Sequence, residues 1–184
     1  MMEMIQQTDF RILNWIQENV RSPWLDWLMP KISFLCNSGW FWILIALVFL
    51  LWKKHRRCGM TMLVGLTLCF VLGIMPIKHF VARPRPCWIN PDVSMLISIP
   101  KDYSFPSGHS ASSFVSSVTM LRYDRRMGIP AVILAALIAL SRLYLYVHFP
   151  TDVLAGILLG ILSAFLAGWV IQQLDRRKKL SESS

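Results

Sequence analysis

Charge is scarce in this chain: Asp, Glu, Lys and Arg make up 16% of its 184 residues, against 55% for hydrophobic types. A soluble domain of this size cannot hide that much apolar surface, whereas lipid can take the place of the missing core. Cysteine is sparse too. Cys36, Cys58, Cys69 and Cys87 show no CxxC spacing, so neither a zinc site nor a haem attachment is indicated, and they read as small packing residues. Cys36 and Cys87 fall on the same side of the expected fold, and the sequence leaves a disulfide between them undecided. No short apolar run with a small-residue cleavage site follows the polar first ten residues, so insertion is expected to rely on the spans rather than on a cleavable leader. Repeats and linkers are absent. One domain over 1–184 is expected, with a disordered tail at 180–184.

What the chain does contain is a series of apolar runs. Before them, residues 9–20 place Phe10, Ile12, Leu13, Ile16 and Val20 at helical spacing, with Arg11, Gln17 and Glu18 on other faces. That pattern predicts an amphipathic helix lying at a membrane surface. Runs at 24–36, 39–52, 58–77, 107–121, 128–146 and 151–171 follow, and they predict an all-α integral-membrane bundle of about six transmembrane helices. The first run is short and broken by Lys31, so it either spans or re-enters; if it does not cross, five passes remain and the N-terminus lies outside. The formal charge is +9, and most of it sits in three clusters between the runs: Lys53, Lys54, Arg56 and Arg57; Arg122, Arg125 and Arg126; and Arg176, Arg177, Lys178 and Lys179. A nucleic-acid binder would instead line a soluble face with its cations. The positive-inside rule puts all three clusters, and with six passes both termini, in the cytoplasm. The loop at 81–105 and the turn at 147–150 then face the other side.

Five ionisable residues remain close to the hydrocarbon, where such groups are functional by default. Lys78, His109, Arg142, His148 and Asp152 are far apart in sequence, yet each falls at the outer end of an expected span. Near Lys78 runs Arg83-Pro84-Arg85-Pro86, in which proline stiffens the loop and arginine offers a two-pronged grip on phosphate, or simply attraction to anionic headgroups. In Pro106-Ser107-Gly108-His109 a loop enters a helix. Pro is favoured at a first helical position, and Ser and Gly leave backbone N–H groups open to an anion. Pro150 is expected to start the last helix, with Asp152 in its first turn and His148 just before it. A carboxylate beside a histidine can hold Nδ1–H and aim the other nitrogen at a substrate, although an ion pair that caps the helix fits as well. Histidine suits attack on phosphorus because the N–P bond hydrolyses again. A second histidine can protonate the leaving oxygen, and cations can neutralise the phosphate. Asp152 is committed and Asp92 and Asp102 stand apart, so no carboxylate cluster is expected to hold a metal.

Lys78, six residues, then Arg85-Pro86; Pro106-Ser107-Gly108-His109; and Ser141-Arg142, five residues, His148, three residues, Asp152: in order and spacing these resemble the three-part signature of the type 2 phosphatidic acid phosphatase superfamily, which includes vanadium haloperoxidases. The resemblance implies that Lys78, Arg85 and Arg142 bind phosphate with help from Ser107 and the backbone of Gly108. It further implies that His148 is the nucleophile, that Asp152 orients it and that His109 is the general acid. It selects Arg85 from the arginine pair and leaves Arg83 available to a second phosphate. No metal or cofactor is implied. The expected partners are a lipid phosphate and the bilayer, with no nucleic acid, in a bacterial cytoplasmic membrane with the site facing outward. Undecaprenyl diphosphate is the foremost substrate expectation, with phosphatidylglycerophosphate and phosphatidic acid as rivals. A non-enzymatic transporter is the alternative from another class, but the charges gather at one edge rather than along a path. Oligomeric state is not legible.

Overall fold

A computed structural model describes residues 2–182, and these form helices and turns with no strand among them. In chain order they are α1 (Met2–Asn19), α2 (Pro23–Phe34), α3 (Trp40–Leu51), α4 (Arg56–Leu68), α5 (Met75–Val81), α6 (Pro86–Ile89), α7 (Gly108–Tyr123), α8 (Arg125–Tyr144) and α9 (Pro150–Glu182). The breaks follow from local chemistry. Pro23 sits in the first turn of α2, a position where its missing N–H is harmless. Between α2 and α3, Ser38 and Gly39 take positive φ angles of 52° and 69°, which an α-helix cannot contain. A π-helical stretch, Cys69–Ile74, joins α4 to α5 immediately before Pro76. Proline removes one hydrogen bond of the ladder, and the wider register accommodates the loss. Asp124 ends α7 and caps α8, accepting from the Arg126 N–H at 2.9 Å.

Where the sequence leaves open six passes or five, the described helices group into five legs. α2 and α3 run in the same sense with a bend of 43° and make one broken leg. The others are α4 with α5, then α7, α8 and α9. Both ends of α2 are held near the same end of the bundle: the Ser22 N–H donates to the Tyr144 hydroxyl at 3.2 Å, and Cys36 Sγ lies 3.2 Å from Ser112 Oγ. Twelve residues rise only about 18 Å, too little to cross alone. Three stretches are long and apolar enough to cross a membrane, namely Arg56–Ile89, Arg125–Tyr144 and Pro150–Ser181, and a fourth if the bent pair counts as one. α7 has 16 residues, several of them buried serines.

The bundle is apolar outside. Ile129, Ile133, Leu137 and Leu140 on α8, and Leu154, Leu158, Leu162 and Phe165 on α9, are exposed at helical spacing, the pattern of a lipid-facing stripe. Inside, α7 and α9 touch at the backbone. A Cβ on Gly156 would stand 2.5 Å from the Ser107 carbonyl oxygen, and one on Gly160 the same distance from that of Ala111. Only hydrogen fits there, and this small-residue seam sets Asp152 beside Ser107, whose N–H donates to the Asp152 carbonyl at 3.0 Å.

α1 begins earlier than the expected residue 9. Leu13 is fully buried, and Phe10, Ile16 and Val20 pack with it against Tyr146, Val147 and Phe149, while Ile12 faces outward. At the other terminus α9 continues through Glu182, so the expected tail is helical at 180–182; its Arg and Lys residues are good helix formers and their charges suit a helix C-terminus. Ser183 and Ser184 lie outside the described residues. All four cysteines are free and buried, which answers the disulfide question for Cys36 and Cys87.

Candidate active site

Five separate segments bring the expected residues to one end of the bundle. Lys78 comes from the last turn of α5, and Arg83 and Arg85 from the loop after Ala82, whose φ of 45° ends that helix. Ser107 caps α7, so Gly108 and His109 are its first two residues. Pro106 therefore precedes the cap rather than occupying the first helical position. Arg142 closes α8, and His148 lies in the turn before α9. Pro150 starts α9 and puts Asp152 in its first turn, as the sequence predicts.

His148 is buried and gripped on both nitrogens. Arg85 Nη1 lies 3.1 Å from Nε2, and Ser104 Oγ lies 3.5 Å from Nδ1. Asp152 Oδ2 is 3.7 Å from Nδ1; closing that gap into a hydrogen bond takes roughly half an ångström. Burial first, then the charges of Arg85, Arg142 and Lys78, hold the His148 pKa well below the usual histidine value, with Asp102 opposing. The ring is therefore neutral. Its guanidinium neighbour can only donate, so Nε2 carries the lone pair and Nδ1 the proton, directed to the acid.

Asp152 is wholly buried. Its Oδ2 accepts from the Phe149 N–H at 2.9 Å and from the Ser104 hydroxyl, and its Oδ1 accepts from Arg83 Nη1 at 2.6 Å. Buried carboxylates need such partners to remain ionised. Arg142 donates to Ser33 Oγ through Nη1, while its buried Nε has no partner. A buried N–H left open in this way is a ready donor to an anion. The Ser107 hydroxyl accepts from Ser110 Oγ at 3.0 Å, which leaves its own proton to donate. His109 lies in the field of Arg142, His148, Arg85 and Lys78, and its Nε2 is 3.1 Å from Asn37 Oδ1, in the break between α2 and α3.

Two expectations change. Asp102 does not stand apart. It accepts from Lys78 Nζ and, at 2.7 Å, from Arg85 Nη2, and its carbonyl accepts from Arg85 Nε at 2.7 Å. Burial pushes its carboxyl up, but the Lys78 hydrogen bond and the Arg85 charge outweigh burial and hold it below the usual carboxylate range. Its segment is irregular loop, where spacing carries no contact information. Arg83, expected to be available to a second phosphate, is spent on protein. Its Nη1 donates to Thr151 Oγ1 and Asp152 Oδ1, its Nη2 donates to Asp9 Oδ2, and its guanidinium stacks 3.9 Å over the Phe149 ring.

With this geometry in place, comparison with known proteins is informative. The family model described as the PAP2 superfamily matches residues 57–176, well over half of the chain. The chain belongs to the PAP2 superfamily. It is 37% identical over 162 residues to the undecaprenyl-diphosphatase of Sulfolobus acidocaldarius, covering 86% of this chain and 74% of that one. It is 30% identical over 168 residues to phosphatidylglycerophosphatase B of Bacillus subtilis, covering 85% and 80%. Among solved structures, that of a transmembrane PAP2 type phosphatidylglycerolphosphate phosphatase from Bacillus subtilis superposes with a TM-score of 0.75 at 28% identity, covering 92% of this chain and 87% of its own.

Beyond the signature, this PAP2 chain recruits Asp9, Asn37, Asp102 and Ser104, none of which sequence reasoning picked out. Asp9 alone left a trace there. It falls on the stripe of Leu13, Ile16 and Val20, and a carboxylate in an apolar stripe asks for a buried partner.

Proposed function

We propose that this protein is a membrane lipid phosphatase that converts undecaprenyl diphosphate to undecaprenyl phosphate and inorganic phosphate through a phosphohistidine at His148. The observation that carries this reading is the buried His148 ring, its Nε2 facing the Arg85 guanidinium with Asp152 and Ser104 behind Nδ1. Lys78, Arg85, Arg142, Ser107 and the N–H of Gly108 bind the terminal phosphoryl group. Phosphate competes with Asp102 for Lys78 Nζ and Arg85 Nη2, and Asp102 yields these donors as the phosphate binds. Nε2 then attacks phosphorus. The bond to the bridging oxygen breaks, and that oxygen departs on undecaprenyl phosphate with a proton from His109, which takes that proton up as the anionic headgroup arrives and offsets the surrounding cations. The Nδ1–H stays on the ring, whose positive charge Asp152 offsets. In the second step His109 takes a proton from water, the hydroxide oxygen bonds to phosphorus, and the N–P bond breaks to release inorganic phosphate. The donors at the site are cations and imidazoles, with both acids tied to Lys78, Arg83 and Arg85. No step needs a metal ion.

The five legs are five crossings, with the basic clusters inside and the site facing outward. The N-terminal helix then lies on the site's side, opposite the C-terminus. An impermeant thiol reagent on intact cells should label Lys101→Cys but not Lys179→Cys; the opposite pattern inverts the topology. Phosphatidylglycerophosphate is the second reading, favoured by the superposition on the Bacillus subtilis enzyme.

Purified protein in detergent, offered undecaprenyl diphosphate, phosphatidylglycerophosphate and phosphatidic acid, tests the function. Phosphate release should be fastest from the diphosphate, persist in EDTA and stop with vanadate. His148→Ala should lose on the order of 10⁴-fold in kcat with unchanged Tm. A strict Mg²⁺ requirement, or turnover surviving in His148→Ala, would overturn the mechanism.

A further inference from the structure

Arg83 and Asp9 lie behind the reacting groups rather than among them. Asp9 is buried on α1. Its Oδ2 accepts from Arg83 Nη2 at 2.7 Å and from Thr151 Oγ1 at 2.5 Å, and its Oδ1 accepts from the Thr151 N–H at 3.2 Å. Arg83 Nη1 then reaches Thr151 Oγ1 at 2.7 Å and Asp152 Oδ1 at 2.6 Å. The other oxygen of Asp152 faces His148. A continuous line of charge therefore runs from the N-terminal helix to the nucleophile: carboxylate, guanidinium, carboxylate, imidazole.

We propose that Asp9 and Arg83 are positioning residues of the phosphoryl transfer, which fix Asp152 against His148 and set the net charge behind its ring. The inference rests on His148 being the nucleophile. Two carboxylates and one guanidinium leave one net negative charge on the side of the ring away from phosphorus. When Nε2 takes the phosphoryl group the ring becomes positive, and that charge is offset where it forms. Asp152 cannot rotate away, because Arg83 holds its far oxygen while Phe149 and Ser104 hold the near one. Arg83 in turn is held by Asp9 and by the Phe149 face. Docking of α1 thereby becomes part of the active site.

The signs of the charges make the role separable from simple scaffolding. His148 is faced by Arg85 and Asp102 from the loops, Lys78 from α5, His109 from α7, Arg142 from α8 and Asp152 from α9. Arg83→Gln leaves all of these in place and adds a net negative charge behind the ring, which favours the protonated imidazole. The acid limb of kcat/KM should then move to higher pH by roughly one pH unit. Asp9→Asn removes a negative charge, so in the double variant the limb should return towards the wild-type position. Arg83→Lys keeps the charge but cannot bridge two carboxylates, so its limb should stay in place while kcat falls.

Because Arg83 does not touch phosphate, Arg83→Gln should lower kcat about tenfold to a hundredfold, equally on the diphosphate and on phosphatidic acid, with KM nearly unchanged. A rise in KM confined to the diphosphate would mean that Arg83 grips a second phosphate, and would overturn the proposal. So would a limb that stays still, or moves the same way in both single variants. The vanadate-induced rise in Tm, followed across pH in the same variants, reads the same limb without any lipid. If the wild-type protein releases phosphate from none of the lipids, the function reading fails on its own. The vanadate arm still decides whether the charge line behind His148 operates: a limb unmoved by Arg83→Gln there ends the inference.

Discussion

The bundle carries cations at both ends and treats them in opposite ways. At the far end Lys53, Lys54 and Arg56, and Arg176, Arg177 and Lys179, fall in two short clusters and are exposed. Arg57 pairs there with Asp175, but both side chains remain about half exposed, at 52% and 41%. At the site end the cations come from three separate segments, Lys78 from α5, Arg83 and Arg85 from the following loop and Arg142 from α8, and Arg85 and Arg142 are buried. The first group keeps its water, the pattern expected of cations that anchor a membrane protein at the bilayer surface. The second has given up water for protein acceptors, which is tolerable only where every donor has a partner or awaits one. Equal numbers of charges would therefore not do equal work: desolvation, not charge count, makes one end a site.

Removing a single cation from each end breaks that comparison most sharply. Arg85→Gln should have the largest effect. It deletes the donor to His148 Nε2 and three contacts that order the Asp102 segment. A buried donor aimed at developing charge is worth on the order of 10²–10³ in rate, so kcat/KM for phosphate release should fall by that factor. A loss below tenfold would mean that the buried cations are not the working ones.

The residues that the sequence singles out and the structure gathers at one end are those whose chemistry clashes with their surroundings. Lys78, His109, Arg142, His148 and Asp152 are ionisable groups at the ends of apolar runs, and depth along a helix follows from counting residues. Partnership across the bundle does not. Arg83 and Asp9 are 74 residues apart, and Arg83 looks identical to Arg85 in a one-dimensional string. Which of the two pairs with Asp9 and which reaches His148 depends on the left-handed turn at Ala82 and on where α1 docks. Asp102 was dismissed for a related reason, since the loop between α6 and α7 has no period from which to place a side chain. The sequence leaves open whether 24–36 crosses, and the answer turns on Asn37-Ser38-Gly39. Such residues signal a turn, but here they bend the chain by only 43° and the leg continues.

A subtler test stays within the site end. Asp102 pairs with Lys78 and Arg85 although its own side chain is 59% exposed. It is held ionised by them, so under the proposed function it competes with the substrate phosphate for the same donors. Asp102→Asn keeps the size and loses the charge. Inorganic phosphate and vanadate should then inhibit several-fold more tightly, by about 1 kcal/mol for a partly exposed competitor. Weaker inhibition would make Asp102 part of the binding site instead of its occupant.

The smallest effect belongs to the far end. Arg57→Gln deletes the ion pair with Asp175 that links the start of α4 to the last turns of α9. Both partners are half in water, and such pairs contribute about 0.2–1 kcal/mol, less at high salt. Thermal unfolding in detergent should move only slightly, and kcat/KM should stay within about twofold of wild type, because nothing conducts a solvated charge across the length of the bundle to His148. The α3–α4 and α7–α9 seams hold these helices by packing, as at Gly59, where an added Cβ would meet the Ala46 carbonyl oxygen at 2.5 Å. A tenfold loss of activity in Arg57→Gln would mean that the two ends are coupled, and that exposure alone does not separate anchoring charges from working ones.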